Sequence, residues 1–143
     1  MKKNRFWQVA LPVCIALWTL TIWFQSLLSG AQSSAESGWV MRMLTALFGW
    51  ETVPEWGMFL LRKVAHFAEF AVLGMLWSGH ARLRERRLWW LWGLPTAVVD
   101  ECLQFLAPGR APMVTDVLLD TFGYVCGVGL VWFIAYLCRK KQK

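Results

Sequence analysis

The fold is decided by LLRKVAHFAEFAVLG (Leu60–Gly74), in which charged side chains interrupt a long apolar run. The same pattern recurs in AVVDECLQFL (Ala97–Leu106) and TDVLLDTFGYVCG (Thr115–Gly127). An Asp or Lys at the centre of a membrane-spanning helix costs about 2.5–3.5 kcal/mol. Such residues persist where they pair with one another or line a wet cavity, so we expect the three segments to face each other.

The composition points to a membrane protein. Of 143 residues, 57% are apolar and 17% are charged, whereas a soluble domain has about 45–50% apolar and about 25% charged residues. These values exclude a disordered chain, a small disulfide scaffold and an ordinary soluble enzyme. The four cysteines lie within apolar runs without CxxC spacing, so we expect buried free thiols rather than bridges or metal ligands.

Four segments are long and apolar enough to predict membrane spans, because a bilayer core about 30 Å thick needs roughly 20 apolar residues in a helix. The predicted spans are 6–28, 58–79, 88–106 and 114–138. The first is longer than the roughly 7–15 apolar residues of a signal peptide, so we expect it to remain uncleaved. The predicted fold class is all-α, an integral membrane four-helix bundle formed as a single domain over residues 1–143.

One long loop, Ser29–Gly57, joins the first two spans. Its second half, WVMRMLTALFGW (Trp39–Trp50), is apolar with few polar residues. We expect this half to form an interfacial helix, with Trp39 and Trp50 at the level of the lipid headgroups. Pro54 is expected to end that helix before the chain re-enters the membrane.

The basic residues predict the topology. Eleven of the fifteen Lys and Arg residues lie near the N-terminus, in the loop His80–Arg87, or in the tail after Cys138. The positive-inside rule places all three regions in the cytoplasm, which gives an N-in/C-in topology. Eight of the nine acidic residues lie in the predicted outer loop or within or at the edges of the spans. The net charge of +6 therefore indicates membrane topology, and we predict no nucleic-acid partner.

The polar residues of the three segments fall at one predicted depth. Arg62, His66 and Glu69 share a helical face because they are spaced by four and three residues. At 1.5 Å per residue, Glu101 lies about 20 Å into its span, in the outer third of the hydrocarbon layer. We predict one outward-facing polar site composed of Arg62, Lys63, His66, Glu69, Asp100, Glu101, Gln104, Arg110, Asp116 and Asp120.

Scaffolding is the alternative interpretation of this set. The three cations would then pair with Asp100, Asp116 and Asp120 and hold the helices together. Five acids and a histidine exceed what four helices require, since an interhelical polar contact in a membrane contributes about 0.6 kcal/mol. The surplus favours a functional site.

The candidates for acid–base chemistry are His66, Glu69 and Glu101, although no nucleophile or reaction is identifiable. His66 and Glu69 form an HxxE pair that has two ligands for a divalent metal. A second histidine is missing from this pattern, so we predict no metal and no cofactor.

Gly123 and Gly127 form the small-xxx-small pattern, which permits close approach of two helices. We expect the pair to pack within the chain. A homo-oligomer formed through the same two glycines is the alternative.

Two of the polar stretches, RKVAHFAEFAVLG (Arg62–Gly74) and DECLQFLAPGRAPMVTDVLLDTFG (Asp100–Gly123), resemble the VanZ-like family. The loop stretch SSAESGWV (Ser33–Val40) is also similar to that family, and the resemblance spans about residues 24–129. The family's K-x-x-H-x-x-E and D-E-x-x-Q…G-R…D…D/N…G positions correspond here to Lys63, His66, Glu69, Glu101, Gln104, Arg110, Asp116 and Asp120. Phe70 stands where the family commonly has Tyr, which removes a hydroxyl from the polar face.

The resemblance implies a small multi-pass protein of the bacterial plasma (inner) membrane. Its family is named for a role in low-level resistance to the lipoglycopeptide teicoplanin. We therefore expect an envelope protein that modulates susceptibility to glycopeptides through contact with the drug or with a lipid-linked cell-wall precursor. The alternatives are an intramembrane enzyme that modifies a lipid-linked headgroup, and a small transporter or structural partner of a larger complex.

Overall fold

The structure is a computed structural model that describes residues 2–49 and 55–141. Its elements are α1 (Lys2–Ser26), α2 (Gly30–Phe48), α3 (Glu55–Leu83), a 3-10 helix (Trp89–Gly93), α4 (Pro95–Leu106) and α5 (Val114–Lys140). The prediction of an all-α chain is confirmed, with no strand in the described ranges. Trp50 and Pro54, to which the loop interpretation assigned roles, lie outside the described residues.

Two helices are long and apolar enough to cross a membrane, namely Arg5–Ser26 and Val114–Lys140. Large apolar side chains are exposed both on these two helices and on α3, since Leu17, Leu118 and Phe59 are 60%, 64% and 61% exposed. A soluble monomer rarely exposes apolar patches larger than a few hundred Å². A lipid environment accounts for this surface and supports a membrane protein.

The interior contains buried polar side chains next to an apolar core. Asp100 and Ser26 are completely inaccessible to solvent, and Asp120 is 1% exposed. Apolar side chains complete the interior, with Phe70 and Leu73 of α3 also fully buried. An apolar outer surface around an interior that holds buried polar groups is unlike a soluble protein and fits a chain covered by lipid.

Helices α3 and α5 pack backbone to backbone. Gly123 and Gly127 of α5 lie against the carbonyl groups of Phe67 and Ala71 of α3, where an added Cβ atom would collide with the carbonyl oxygen. The small-xxx-small pattern is thus used inside the chain, as expected. Both glycines are buried there, so a dimer through them would have to separate α3 from α5.

The segment predicted as the third span is not one continuous helix, so the expectation of a single helix there was wrong, whereas its crossing of a membrane stays a prediction. A 3-10 helix, Trp89–Gly93, precedes α4, which begins at Pro95. Proline lacks an amide hydrogen and suits the first position of a helix. The Tyr124 hydroxyl of α5 donates to the carbonyl of Trp90 and holds the 3-10 segment in place. The 12 residues of α4 extend only about 18 Å, so α4 alone is shorter than a bilayer core of about 30 Å.

Helix α2 begins earlier than predicted, because the serine-rich half of the loop is also helical. Ser29 caps it: the Ser29 hydroxyl accepts from the Gln32 amide at 3.3 Å, and the Gln32 side chain accepts from the Ser29 amide at 3.0 Å. This capping box satisfies two amide groups at the helix start. The Gly30 amide then donates to the Pro108 carbonyl at 3.0 Å, which joins α2 to the turn between α4 and α5.

The basic regions gather at the opposite end of the bundle. Arg84, in the turn after α3, donates to the carbonyl of Gln8 in α1 at 3.3 Å. Arg82, Arg87 and Arg139 line one shallow cavity there, so the C-terminal end of α5 lies beside the same turn. The three basic regions therefore share one end, as their predicted common side requires. That this end is cytoplasmic stays a prediction.

The expectation of buried cysteines was wrong. Cys14, Cys102, Cys126 and Cys138 are all free thiols on exposed helix surfaces. Because the outer surface is apolar, a thiol can serve there as a small hydrophobic side chain in contact with lipid.

The packing of α3 on α5 predicts that Gly127→Ala is destabilising. The added methyl group would push the two backbones apart and lower the free energy of unfolding by about 1–3 kcal/mol. Thermal unfolding in detergent measures the effect. Gly129→Ala is the matched control, because nothing lies within 4 Å of its added Cβ atom. Equal stability of the two variants would contradict the packing described.

Candidate functional site

A cavity of about 190 Å³ lies at the end of the bundle opposite the basic regions. It is enclosed by the last residues of α1, the first half of α2, the N-terminal half of α3 and the turn between α4 and α5. Its lining consists of Gln25, Ser33, Glu36, Ser37, Val40, Leu61, Arg62, Ala65, His66, Glu69 and Arg110. Four of the ten predicted site residues therefore meet here: Arg62, His66, Glu69 and Arg110.

Helix α3 provides three of these four side chains. Arg62, His66 and Glu69 face the cavity together, as their helical spacing predicted. The Arg62 guanidinium donates to the Ser34 hydroxyl of α2 at 3.0 Å. The indole of Trp18 donates to the backbone carbonyl of Glu69 at 2.9 Å, which fixes α1 against α3 beside the site.

Arg110 enters the cavity from the turn that follows α4. Gly109 has a φ of 74° in this turn, a conformation that glycine adopts without strain. Burial lowers the pKa of Arg110 from its ordinary value, and the neighbouring Arg62 guanidinium lowers it further. An arginine nevertheless stays protonated in proteins, so two guanidinium charges lie on the lining beside the carboxyl groups of Glu36 and Glu69.

Both guanidinium groups have hydrogen-bonding capacity to spare. The Nε atoms of Arg62 and Arg110 are buried and have no hydrogen-bond partner. Across the described ranges, neither arginine forms a salt bridge with a carboxylate within 4.0 Å. Buried donors without acceptors cost about 1–3 kcal/mol each, so an anion in the cavity would be stabilised.

Asp100 connects α1 with α4. The Ser26 hydroxyl donates to Asp100 Oδ1 at 2.6 Å, and the side-chain amide Nε2 of Gln104 donates to Asp100 Oδ2 at 3.2 Å. All three residues are buried. Asp100 and Gln104 therefore lie behind the cavity, as part of its supporting structure.

Glu101 holds the turn between α4 and α5. Its Oε1 accepts from the Met113 amide at 2.5 Å, immediately before α5 begins. Its Oε2 is buried without a partner. Glu101 does not line the cavity, so of the three candidates for acid–base chemistry only His66 and Glu69 do.

Lys63 and Asp116 form an ion pair between α3 and α5, and both side chains are about 20% exposed (20% and 21%). The Lys63 ammonium group also lies 5.1 Å from the centre of the Phe59 ring. This pair holds two helices together, as the scaffolding interpretation predicts for Asp116. The pairing of the other cations with Asp100 and Asp120 is not seen.

Asp120 is the least satisfied carboxylate of the described residues. It is 1% exposed, and neither of its oxygens has a hydrogen-bond partner. Its nearest basic group is His66, whose Nδ1 is 4.0 Å from Asp120 Oδ1. Asp120 thus lies at the inner side of the cavity wall that His66 forms.

Sequence reasoning missed the contribution of α1 and α2. Gln25, Ser33, Ser37 and Glu36 line the cavity, while Ser26 bonds to Asp100. The available signal was the stretch Ser33–Val40, which the family resemblance included. The structure, in which α2 begins at the capping box of Ser29, shows that this stretch is helical.

The comparisons with known proteins agree with the sequence resemblance. The family model described as VanZ/LLP1 matches residues 11–136, nearly the whole chain. All ten predicted site residues and every residue of the cavity lie within the matched segment. No curated protein and no solved structure matches the chain.

The buried link between α1 and α4 predicts that Ser26→Ala lowers stability. The substitution removes a hydrogen bond to a buried carboxylate, with an expected loss of about 1–2 kcal/mol in the free energy of unfolding. Thermal unfolding in detergent measures it. Thr21→Val is the control, since the Thr21 hydroxyl is exposed and donates only to Leu17 within α1. A larger loss for Thr21→Val would contradict the importance of the Asp100 contact.

Proposed function

The chain belongs to the VanZ/LLP1 family, and on that basis we propose a multi-pass protein of the bacterial plasma membrane that binds an anionic lipid-linked headgroup. The ligand class is the phosphate-bearing headgroup of a lipid-linked cell-wall precursor. The cavity opens to the outer side of the membrane, and binding there modulates susceptibility to glycopeptides such as teicoplanin. One observation carries this proposal: two guanidinium groups line one cavity and retain buried, unpartnered Nε–H donors.

Phosphate is the anion that fits this arrangement. The planar guanidinium group presents paired donors that match two phosphate oxygens. Arg62 approaches from α3 and Arg110 from the α4–α5 turn, so one phosphate between them would relieve their mutual repulsion. Glu36 and Glu69, on the same lining, add acceptors for the hydroxyl or ammonium groups of a sugar or peptide headgroup.

The size of the cavity favours a headgroup over a complete glycopeptide. Sites for drug-sized molecules measure about 300–1,000 Å³, whereas this cavity measures about 190 Å³. Val40 and Leu61 supply its apolar lining. A lipid chain can leave the cavity past these residues and continue along the apolar helix surfaces.

An intramembrane enzyme is the second candidate function. His66 and Glu69 line the same cavity, and both side chains can transfer protons to or from a bound group. A reaction on the headgroup would use these two residues. Glu101, which bonds to the Met113 amide instead, would support the turn.

Replacement of either cavity arginine should weaken headgroup binding. The test measures binding of a short polyprenyl phosphate to the purified chain in detergent micelles. A hydrogen bond to a charged group contributes about 1.5–3 kcal/mol, so Arg110→Gln and Arg62→Gln should each weaken binding by about 10–100-fold. Arg42→Gln is the control, because Arg42 is exposed on α2 and does not line the cavity. Equal binding by all variants, or equal binding of the uncharged polyprenol, would contradict the proposal.

The susceptibility of cells tests the physiological part. Expression of the wild-type chain or of Arg42→Gln should raise the inhibitory concentration of teicoplanin, whereas Arg110→Gln should not. Lipid-linked precursors extracted from the same strains separate binding from catalysis. Pools that are unchanged between wild type and His66→Gln argue for binding, and a substrate that accumulates only in His66→Gln argues for the enzyme.

A further inference from the structure

We propose that His66, Asp100 and Asp120 bind one divalent metal ion of the manganese or zinc class. One potential ligand atom from each residue lies within 4.8 Å of the other two. At the full 4.8 Å separation each atom would be about 2.8 Å from a central ion, about 0.6 Å longer than the bonds of about 2.0–2.2 Å that zinc forms to nitrogen and oxygen. Small side-chain rotations would therefore complete the coordination.

The state of Asp120 is the independent observation that points to a cation. The residue is 1% exposed, and both of its carboxylate oxygens are buried without a hydrogen-bond donor. An uncompensated carboxylate in a low-dielectric interior costs several kcal/mol. A cation coordinated by these oxygens would remove that cost.

The basic side chains nearby do not supply the missing charge. Lys63 is paired with Asp116, Arg62 donates to the Ser34 hydroxyl of α2, and Arg110 acts on Asp100 only over a distance without an ion pair. Across the described ranges, no Lys or Arg nitrogen comes within 4.0 Å of Asp100 or Asp120. The His66 imidazole is the nearest basic group to Asp120, and a neutral imidazole is itself a metal ligand.

The surrounding contacts resemble the supporting structure of a metal site. Ser26 and Gln104 each donate to one oxygen of Asp100, which fixes the orientation of the carboxylate. Such outer contacts commonly tune a metal site, and their loss weakens affinity by about 10–100-fold. Each Asp100 oxygen keeps a lone pair for the ion.

The ligand set decides the class of metal. Calcium and magnesium prefer sites made of oxygen atoms, whereas one imidazole with two carboxylates suits manganese, iron or zinc. Three protein ligands leave at least one coordination position open. Since His66 lines the cavity, that position would face the cavity, although the metal site stands independently of headgroup binding.

Binding of Mn²⁺ to the purified, chelator-treated full chain in detergent tests the proposal. Electron paramagnetic resonance reports the loss of free Mn²⁺, and we expect one bound ion per chain that Zn²⁺ displaces. His66→Ala and Asp120→Asn should each weaken binding by at least about 100-fold, and Ser26→Ala by about 10–100-fold. Asp116→Asn is the control, because it removes a carboxylate from the same end of the bundle but outside the three-residue group.

Thermal unfolding with and without Mn²⁺ provides a second readout. The ion should raise the unfolding temperature of the wild type and of Asp116→Asn, and leave that of His66→Ala unchanged. His66 is half-buried, so its alanine variant decides the question if Asp120→Asn fails to fold. Absence of Mn²⁺ and Zn²⁺ binding by the wild type, full binding by His66→Ala, or an equal loss in Asp116→Asn would overturn the metal site.

Discussion

The structure depends on the compensation of carboxylates buried in an apolar bundle. Water cannot solvate an acid in the hydrocarbon layer, so each one needs a donor, a cation or a polar cavity. Asp116 has Lys63, while Asp100 accepts from Ser26 and Gln104. The Lys63–Asp116 pair connects α3 with α5, and the Ser26–Asp100 hydrogen bond connects α1 with α4 at the same end of the bundle. Compensation of the acids and assembly of the helices are therefore achieved by the same contacts.

The cavity arises where this compensation is incomplete. Arg62 and Arg110 line the cavity and keep unpartnered Nε–H donors, while Asp120, next to His66, keeps unpartnered acceptors. A bound phosphate would satisfy the first group and a bound metal ion the second. Backbone contact between α3 and α5 brings the two groups close, since Gly123 and Gly127 leave no side chain between the helices. Close packing of α3 against α5 at these two glycines therefore sets the distance between the polar residues that the two helices carry.

The sequence predicted which side chains share a helical face better than it predicted the path of the backbone. Helical spacing placed Arg62, His66 and Glu69 on one face correctly, because the 3.6-residue repeat needs no tertiary information. Hydropathy could not reveal the break at Pro95, since the 3-10 segment is as apolar as a helix. Depth counting predicted one site that includes His66, Asp100 and Asp120, but it did not predict that these three side chains converge within it, because they come from separate segments. That convergence results from packing between helices, which a single sequence does not specify.

Cysteine accessibility tests most directly whether the polar cavity faces the outer side of the membrane. The four native cysteines would first be replaced by alanine, and Ser37→Cys or Glu85→Cys would then be introduced singly. Ser37 lines the cavity, and Glu85 lies in the turn between α3 and the 3-10 helix at the basic end. In right-side-out vesicles a membrane-impermeant maleimide should label Ser37→Cys, and should reach Glu85→Cys only after permeabilisation. The opposite pattern would contradict an outward-facing cavity.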